Sequence, residues 1–582
     1  MIDNTELAEK VCNSSMFRVC EQCGSCSSAC PLTGKNGFNV RRMIRHLELD
    51  LDQEIADTPA PWLCTTCGRC EEACPNGIKI LDIVRYLRRL SPDKWVPAAA
   101  PCVLACPAHI NIPEYLRLAS EGRTHEAYML IREKVPFPGI LGRVCTRFCE
   151  QKCKRADVNG AVAICALKRY IADSENGAVK EELASVDEET GRKVAIVGAG
   201  PCGLTTAFYL RKKGHSVTVF EERDNAGGML WTAIPAYRLP HEVVGKEIQD
   251  VLATGIELKT GQRMGRDFNL NDLQASYDAV FIATGGQLSR KIELEGSDLA
   301  GVLWGVDFLY NVKEGKINTL PEKVTVIGGG NVAIDVALTA LRLGAKEVIL
   351  ACLEKFEEMP SNAWEIEQAV EEGVKLMTSY GPLRVLGEKG RATGISLRGC
   401  TSVFDAEGRF NPVYDDAVQT TVAADVIILA IGQAADLSFA SGGLKAARGL
   451  IAVDEFQQSS IPGVFAGGDV AKAPGTIIEA IVQGRVAASS IDWYLGGDGV
   501  IVESFVNVQT RSITERREKG FADRKRAEPS TMPVNERKCN FKEVENSFDT
   551  EHAVRETQRC FGCDLEIACS RPSIMTLAIE EP

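Results

Sequence analysis

Apolar and polar positions follow two rhythms along this chain. In KVAIVGAGPCGLTTAFYLRKKGHSVTVF (193–220) a short apolar run gives way to glycines, then to helical apolar spacing, then to a second apolar run. That order predicts strand, tight turn, helix and strand. It returns in KVTVIGGGNVAIDVALTALRLGAKEVILA (323–351), and ADVIILAIG (424–432) reads as one more buried strand. Near the start, FNVRRMIRHLELDL has the apolar spacing of one helix face. ADSENGAVKEELASVDEETGRK is polar and acidic and reads as a linker. TRSITERREKGFADRKRAEPSTMPVNERK is charged and weakly patterned, and is expected to be an arm draped over the body because it delivers three cysteines at its end.

At 582 residues the chain is expected to form roughly three to five domains. Hydrophobic residues are 45% and charged residues 25% of the total, the composition of ordinary globular material. Lys and Arg number 66 against 79 Asp and Glu, a net charge of −13 that argues against nucleic-acid binding. The opening MIDNTELAEK lacks a basic leader, and no run of about 18 apolar residues occurs. A cytoplasmic protein without an integral membrane segment is the expectation.

The 22 cysteines change the picture, because they cluster as metal ligands do in a chain without a secretory leader. CEQCGSCSSACP and CTTCGRCEEACP repeat the spacing C-x2-C-x2-C-x3-C-P, in which three cysteines wrap one 4Fe-4S cube and the fourth reaches the other. Cys20, Cys23 and Cys26 are thus expected to join Cys74, and Cys64, Cys67 and Cys70 to join Cys30. Zinc is the structural alternative. The long helical insert between the runs makes residues 10–95 resemble the ferredoxin-like subunit of heterodisulfide reductase, whose relatives pass electrons to a partner protein.

A second region, from APCVLACPAHINIPEYLRLASEG through PFPGILGRVC to AICALKRYIAD, resembles the helical cluster domain of dihydropyrimidine dehydrogenase and the glutamate synthase small subunit. Its thiols are Cys102, Cys106, Cys145, Cys149 and Cys153. The upstream C-x2-C of those relatives is missing, and DKWVPAAA stands there instead. Cys165 lies one helical turn before Lys168, where some relatives place a Gln or Glu ligand; it is either a substitute ligand or a small core residue. RCFGCDLEIAC brings Cys560, Cys563 and Cys569, which resemble the lost phrase. They are expected to complete a site with Cys102 or Cys153 or to hold a centre of their own, with zinc or a redox-active C-x2-C as alternatives. Cys12, Cys352, Cys400 and Cys539 stand outside any cluster.

In the first nucleotide fold Gly198 makes the turn, Gly200 admits a pyrophosphate, Gly203 packs helix on strand and Glu221 suits ribose hydroxyls, with Gly227 and Gly228 following. GGMLWTAIPAYRLP, FIATGG with Gly285, and VFAGGDV with Gly468 resemble the FAD domain of glutamate-synthase-like flavoproteins. The resemblance implies that Asp469 binds the ribityl chain and that Thr476 and Ile477 approach the isoalloxazine. The apolar strand ADVIILAIG, ending at Gly432, is expected to return the chain to the flavin half. In the nested fold Gly328 and Gly330 take the turn and approach roles, beside Asn331 and Val332 at the helix start, and Ala333 fills the third position. NADPH-using relatives carry arginines shortly before EMP, whereas Leu353 and Glu354 stand here. A carboxylate repels a 2′-phosphate and accepts from ribose hydroxyls, which favours NAD(H), unless Glu354 is only a surface charge.

The expected fold class is multidomain α/β. It comprises a two-cluster ferredoxin-like domain (1–97), a helical iron-sulfur domain (98–188), an FAD domain (189–315 and 425–500) split by an NAD(P) domain (316–424), and a cysteine-bearing C-terminal arm (501–582). The resemblance implies FAD, NAD(H) and at least three 4Fe-4S clusters in an electron-transfer subunit that exchanges hydride electrons with a redox partner protein. Electron bifurcation, as in the large subunit of NADH-dependent ferredoxin:NADP oxidoreductase, is an extension of that reading. An NADPH-oxidising subunit like the glutamate synthase small subunit is the alternative. No catalytic acid or base is assigned, since hydride transfer requires none.

Overall fold

The computed structural model describes residues 17–175, 182–183, 185–440, 443–473, 475–508 and 517–570. Two parallel five-stranded sheets form its centre. In the first, the order is Val464–Ala466, Ala279–Ile282, Lys193–Val197, Ser216–Phe220 and Glu257–Lys259. Lys193 pairs with Ser216 and Val197 with Phe220, so both predicted strands run parallel around the crossover helix Pro201–Lys212. Val194 to Val197 are buried, as expected of a strand covered on both faces. On Gly203 a Cβ would stand 2.0 Å from the Gly198 carbonyl oxygen, so only glycine lets this helix sit on its strand. The helix also packs against Ile477–Tyr494, where a Cβ on Gly484 would meet the Cys202 carbonyl oxygen at 2.5 Å.

The second sheet orders Val302–Trp304, Val426–Leu429, Lys323–Ile327, Glu347–Ala351 and Lys375–Met377. The strand expected within 424–432 forms, but between Val302–Trp304 and Lys323–Ile327 of this sheet rather than in the flavin half, so both flanks of the expected NAD(P) segment extend into the FAD span given above. Appended to this half is a three-stranded antiparallel sheet, Tyr380–Glu388, Arg391–Phe404 and Phe410–Ala423, which the apolar pattern does not announce. Its last strand alternates irregularly and is mostly exposed.

The N-terminal module folds around helices Val40–Glu48 and Ile80–Leu90, with Phe38, Met43, Ile44, Val84 and Leu87 in its core. Asn39 caps the first of these helices through Arg42 N–H at 3.1 Å. The helical module shares one continuous core with the first sheet, joining Tyr115, Ile131, Phe137 and Leu141 to Phe208 and Ile481. The arm packs against both cluster modules. The Arg559 guanidinium, fully buried, donates to the carbonyls of Asn159, Gly160 and Ala161. Among the described residues, no helix is long and apolar enough to cross a membrane.

Candidate functional site

A cleft of about 240 Å3 lies where the two nucleotide folds face each other. Gly198, Gly200, Gly228, Gly285, Gly468, Asp469, Thr476 and Ile477 line one side, and Asn331, Val332 and Asp335 the other. Gly198 has φ 108°, and a Cβ on it would collide with the Ala283 carbonyl oxygen at 2.4 Å. Gly228, at φ 52°, faces Gly200 so closely that a Cβ would stand 2.9 Å from the Gly200 Cα. Two chain segments thus present bare backbone to one cradle, at the start of the helix Pro201–Lys212, which suits a pyrophosphate. The donor set fits FAD.

Around that cradle, Gly227 N–H donates to the Ala199 carbonyl at 2.8 Å. Glu221 is buried, and its two oxygens accept from Ala199 N–H at 2.9 Å and Arg223 N–H at 3.0 Å. Burial raises its pKa, and those two N–H groups pull the other way. Asp469 accepts from Gly475 N–H at 3.2 Å, and its pKa is raised by burial. Thr476 caps the helix Ile477–Tyr494 in a reciprocal box with Glu479. Gly432 lies beyond the cleft, its carbonyl accepting from Arg290 N–H at 3.0 Å. Cys202, buried in the first turn of the helix Pro201–Lys212 beside Gly468, also lines the cleft. Sequence reasoning passed over it because it fills a variable position between Gly200 and Gly203 of the glycine motif.

In the second fold Gly328 occupies the tight turn, with a Cβ position only 2.2 Å from the Ala430 carbonyl oxygen. Gly330 precedes the helix Asn331–Arg342, and Asn331 Oδ1 accepts from Asn362 N–H at 2.9 Å. The Glu354 carboxylate is folded over the turn: a Cβ on Gly329 would lie 2.6 Å from its Oε2. Lys355 is exposed and turned toward Glu358. A half-buried carboxylate above a glycine turn suits a ribose diol, and the residues fit a nicotinamide dinucleotide.

Among the described residues no three His, Cys, Asp or Glu side chains close on a point as ligands of a single ion would. The cysteines instead surround shared spaces in four sets. Cys20, Cys23, Cys26 and Cys74 form the first: Cys20 is raised by burial, with Cys26 and Cys74 adding to it, and Cys26 feels Cys74 and Cys23. Cys30, Cys64, Cys67 and Cys70 line one apolar pocket and form the second. The exchange of Cys30 and Cys74 between the runs is the arrangement that the spacing implies.

Cys106, Cys145 and Cys149 form the third set, around the buried Lys168 ammonium. Burial works against that charge, but these thiols and Cys165 outweigh it and raise the Lys168 pKa. Cys165 Sγ lies at the edge of this set and donates to the carbonyls of Leu141 at 3.4 Å and Gly142 at 3.3 Å. Cys102, Cys153, Cys560 and Cys563 line the fourth space, walled by Ile112, Leu116, Val162 and Ile164. Four cysteine sulfurs in apolar surroundings are the donor set of a 4Fe-4S cube.

Cys569 is not brought to these thiols. It lies six residues after Cys563 on the helix Cys563–Ser570, about 240° around its axis, and its carbonyl accepts from Arg89 Nε at 2.9 Å. Cys352 and Cys400 are buried in the second nucleotide half, and Cys539 is exposed on the arm. Cys12 lies outside the described residues.

Comparison with known proteins agrees with this geometry. The pyridine nucleotide-disulphide oxidoreductase family matches residues 192–484, the dihydropyrimidine dehydrogenase domain II 4Fe-4S family residues 96–179, and a 4Fe-4S dicluster domain residues 16–78. The beta subunit of an NADP(+)-dependent formate dehydrogenase from Moorella thermoacetica is 38% identical, over 83% of this chain and 72% of its own length. The beta subunit of an NADPH-Fe(3+) oxidoreductase from Geobacter sulfurreducens is 35% identical, over 80% of this chain and 75% of its own. The NAD-dependent dihydropyrimidine dehydrogenase subunit PreT of Escherichia coli is 32% identical, over 68% of this chain and 92% of its own. With two nucleotide folds around one cleft and cysteine sets beside it, the chain belongs to the pyridine nucleotide-disulphide oxidoreductase family, as an iron-sulfur flavoprotein that uses FAD, NAD(P) and 4Fe-4S clusters.

Proposed function

We propose that this chain is the NADH-linked electron-transfer subunit of a larger redox assembly, exchanging hydride electrons with a protein partner through its cysteine sets. One observation carries the reading. Val144 and Thr146, the two neighbours of Cys145, line the same cleft as Gly200, Asp469 and Asn331. The third cysteine set therefore abuts the flavin cradle directly.

When bound, FAD supplies the conversion between a hydride's electron pair and single electrons. The chain's residues supply placement. Gly198, Gly200 and Gly228 admit the pyrophosphate, Asp469 and the Thr476 cap stand by the flavin, and Asn331 and Val332 bring the nicotinamide half to the same cleft. Glu354 over Gly329 selects a free ribose diol against a 2′-phosphate. Cys106, Cys145 and Cys149 hold the nearest cube, with Cys165 as the candidate fourth ligand. The two ferredoxin sets hold the outer cubes. Cys23 is exposed, so the first set opens on the surface where a partner would dock.

Anaerobic titration with NADH and NADPH, followed by flavin absorbance and cluster EPR, tests the reading. NADH is expected to bleach the flavin at lower concentration than NADPH, and reduced-cluster signals are expected to follow. A bleached flavin beside clusters that stay oxidised at every NADH concentration would refute the relay. A preference for NADPH would refute the role given to Glu354. Identification of a protein that co-purifies would name the partner.

A further inference from the structure

The helical module gathers Cys106, Cys145 and Cys149 near Lys168 and leaves Cys102 and Cys153 as half of another group. Its sequence lacks the upstream C-x2-C that would finish the site. The structure brings the missing half from the far end of the chain, because Cys560 and Cys563 line the same apolar pocket as Cys102 and Cys153.

A second observation shows that the arm carries a cluster grip rather than two stray thiols. In the two ferredoxin runs, the residue two places after the first cysteine is left-handed, Gln22 at φ 55° and Thr66 at φ 57°. Their N–H groups reach the sulfurs of Cys20 and Cys64 at 3.4 and 3.3 Å. Gly562 repeats the device at φ 61°, with its N–H 3.4 Å from Cys560 Sγ. Such N–H···S contacts stabilise thiolate charge and tune cluster potential. Glycine meets the left-handed requirement at no steric cost.

A third observation is that the arm is fixed where the grip must stand. Arg117 holds both oxygens of Asp564 at 3.1 and 2.6 Å. Arg85 and Arg88 bind the buried Glu566. Arg517 joins the two grips by donating to the Thr66 and Phe561 carbonyls.

We propose that Cys102 and Cys153 of the helical module and Cys560 and Cys563 of the arm together hold one further 4Fe-4S cube. Its place is between the others. The helix Pro101–Ala105, which carries Cys102, packs against Phe148–Gln151, which carries Cys149 of the third set, and Cys563 shares a pocket with Cys64 of the second. The cube therefore links the flavin side of the molecule to the ferredoxin module, and this role rests on the relay reading above.

The test uses the full chain purified anaerobically, as wild type, Cys102→Ala, Cys563→Ala, the double variant and Cys569→Ala. Each of the first two variants should lose about four iron and four sulfide per chain, and the same EPR signal. The double variant should lose no more than either single, and Cys569→Ala should lose none. Unchanged iron in Cys563→Ala, additive losses in the double variant, or zinc in the wild type would overturn the site. If the alanine variants fail to accumulate, Cys102→Ser and Cys563→Ser, which offer an oxygen at the same corners, should shift one and the same EPR signal. Shifts in different signals would overturn it. Flavin bleaching by NADH in the same samples separates the two readings: its absence in wild type undoes the relay but leaves the iron count standing.

Discussion

Arg238 grips Asp335 with one nitrogen on both carboxylate oxygens, at 2.8 and 2.7 Å, across the boundary between the two nucleotide folds. Arg238 belongs to the flavin half, Asp335 to the helix of the nicotinamide half, and both line the shared cleft. Burial raises the Asp335 pKa, with Arg238 pulling the other way. The same guanidinium also binds Glu365. Together with the Tyr237 hydroxyl, which donates to the Asp335 carbonyl at 3.2 Å, it clamps the helix of the nicotinamide half to the flavin half.

Removing Arg238 leaves two buried carboxylates without their cation, and breaking such a pair from one side costs about 3–5 kcal/mol. Arg238→Ala is expected to slow NADH-driven bleaching roughly tenfold or more at unchanged flavin content, because hydride transfer needs aligned rings. Arg238→Lys, which keeps the charge but loses the fork, should fall between. Stopped-flow absorbance reads both. A rate unaffected by Arg238→Ala would show that other contacts set the domain angle.

Glu354 makes an opposite prediction for the two nicotinamide cofactors. A hydrogen bond to a charged acceptor is worth about 1.5–3 kcal/mol, so Glu354→Ala should raise the KM for NADH roughly tenfold or more. The same change removes repulsion from a 2′-phosphate, so NADPH should improve. Steady-state kinetics with each cofactor decides it. Parallel losses for both would place Glu354 outside the ribose site.

The nucleotide folds were legible because a buried parallel strand must be apolar and a pyrophosphate turn must be glycine. Val194–Val197 and Gly198 therefore announce themselves locally. The exchange of Cys30 and Cys74 was legible from spacing alone. The choice between a shared site and a separate centre for Cys560 was not, since nothing in local spacing says which distant thiols a chain end will meet. What holds the arm beside Cys102 and Cys153 is Arg559, Glu566 and Asp564, whose partners lie hundreds of residues away. Cys569 misled by proximity in sequence to Cys563, although the helix turns it away. Cys202 was overlooked because the residue between Gly200 and Gly203 is free to vary in the glycine motif, so its thiol at the start of the helix carries no signal.

Cys165 and Lys168 both stand at the third cysteine set, and they predict different spectra. If Cys165 is the fourth ligand, Cys165→Ala should lose the third set's cube, about four iron and four sulfide per chain, together with its EPR signal. Lys168→Gln should keep all iron but lower the reduction potential, since a buried cation beside the cube favours the more negative, reduced state. Full iron in Cys165→Ala would make that thiol a core residue bonded to Leu141 and Gly142.

Glu247 ties the flavin half to the helix Pro138–Val144, which leads into Cys145. Its carboxylate accepts from Gly139 N–H at 2.6 Å and Ile140 N–H at 2.9 Å. Burial nevertheless pushes its pKa from 4.5 up to about 7, the two N–H groups offsetting only part of that cost. The folded protein therefore holds this proton more tightly than the unfolded chain does. Its stabilising contribution is complete below about pH 4.5 and is lost as pH rises through about 7. At about 1.4 kcal/mol per pH unit the loss is of order 3 kcal/mol. Wild type should thus lose thermal stability relative to Glu247→Gln as pH is raised across that window, while the two should run parallel at higher pH. Melting curves at several pH values measure the difference. A constant gap throughout would mean that the carboxyl titrates in its usual range and that the two N–H groups suffice to keep it charged.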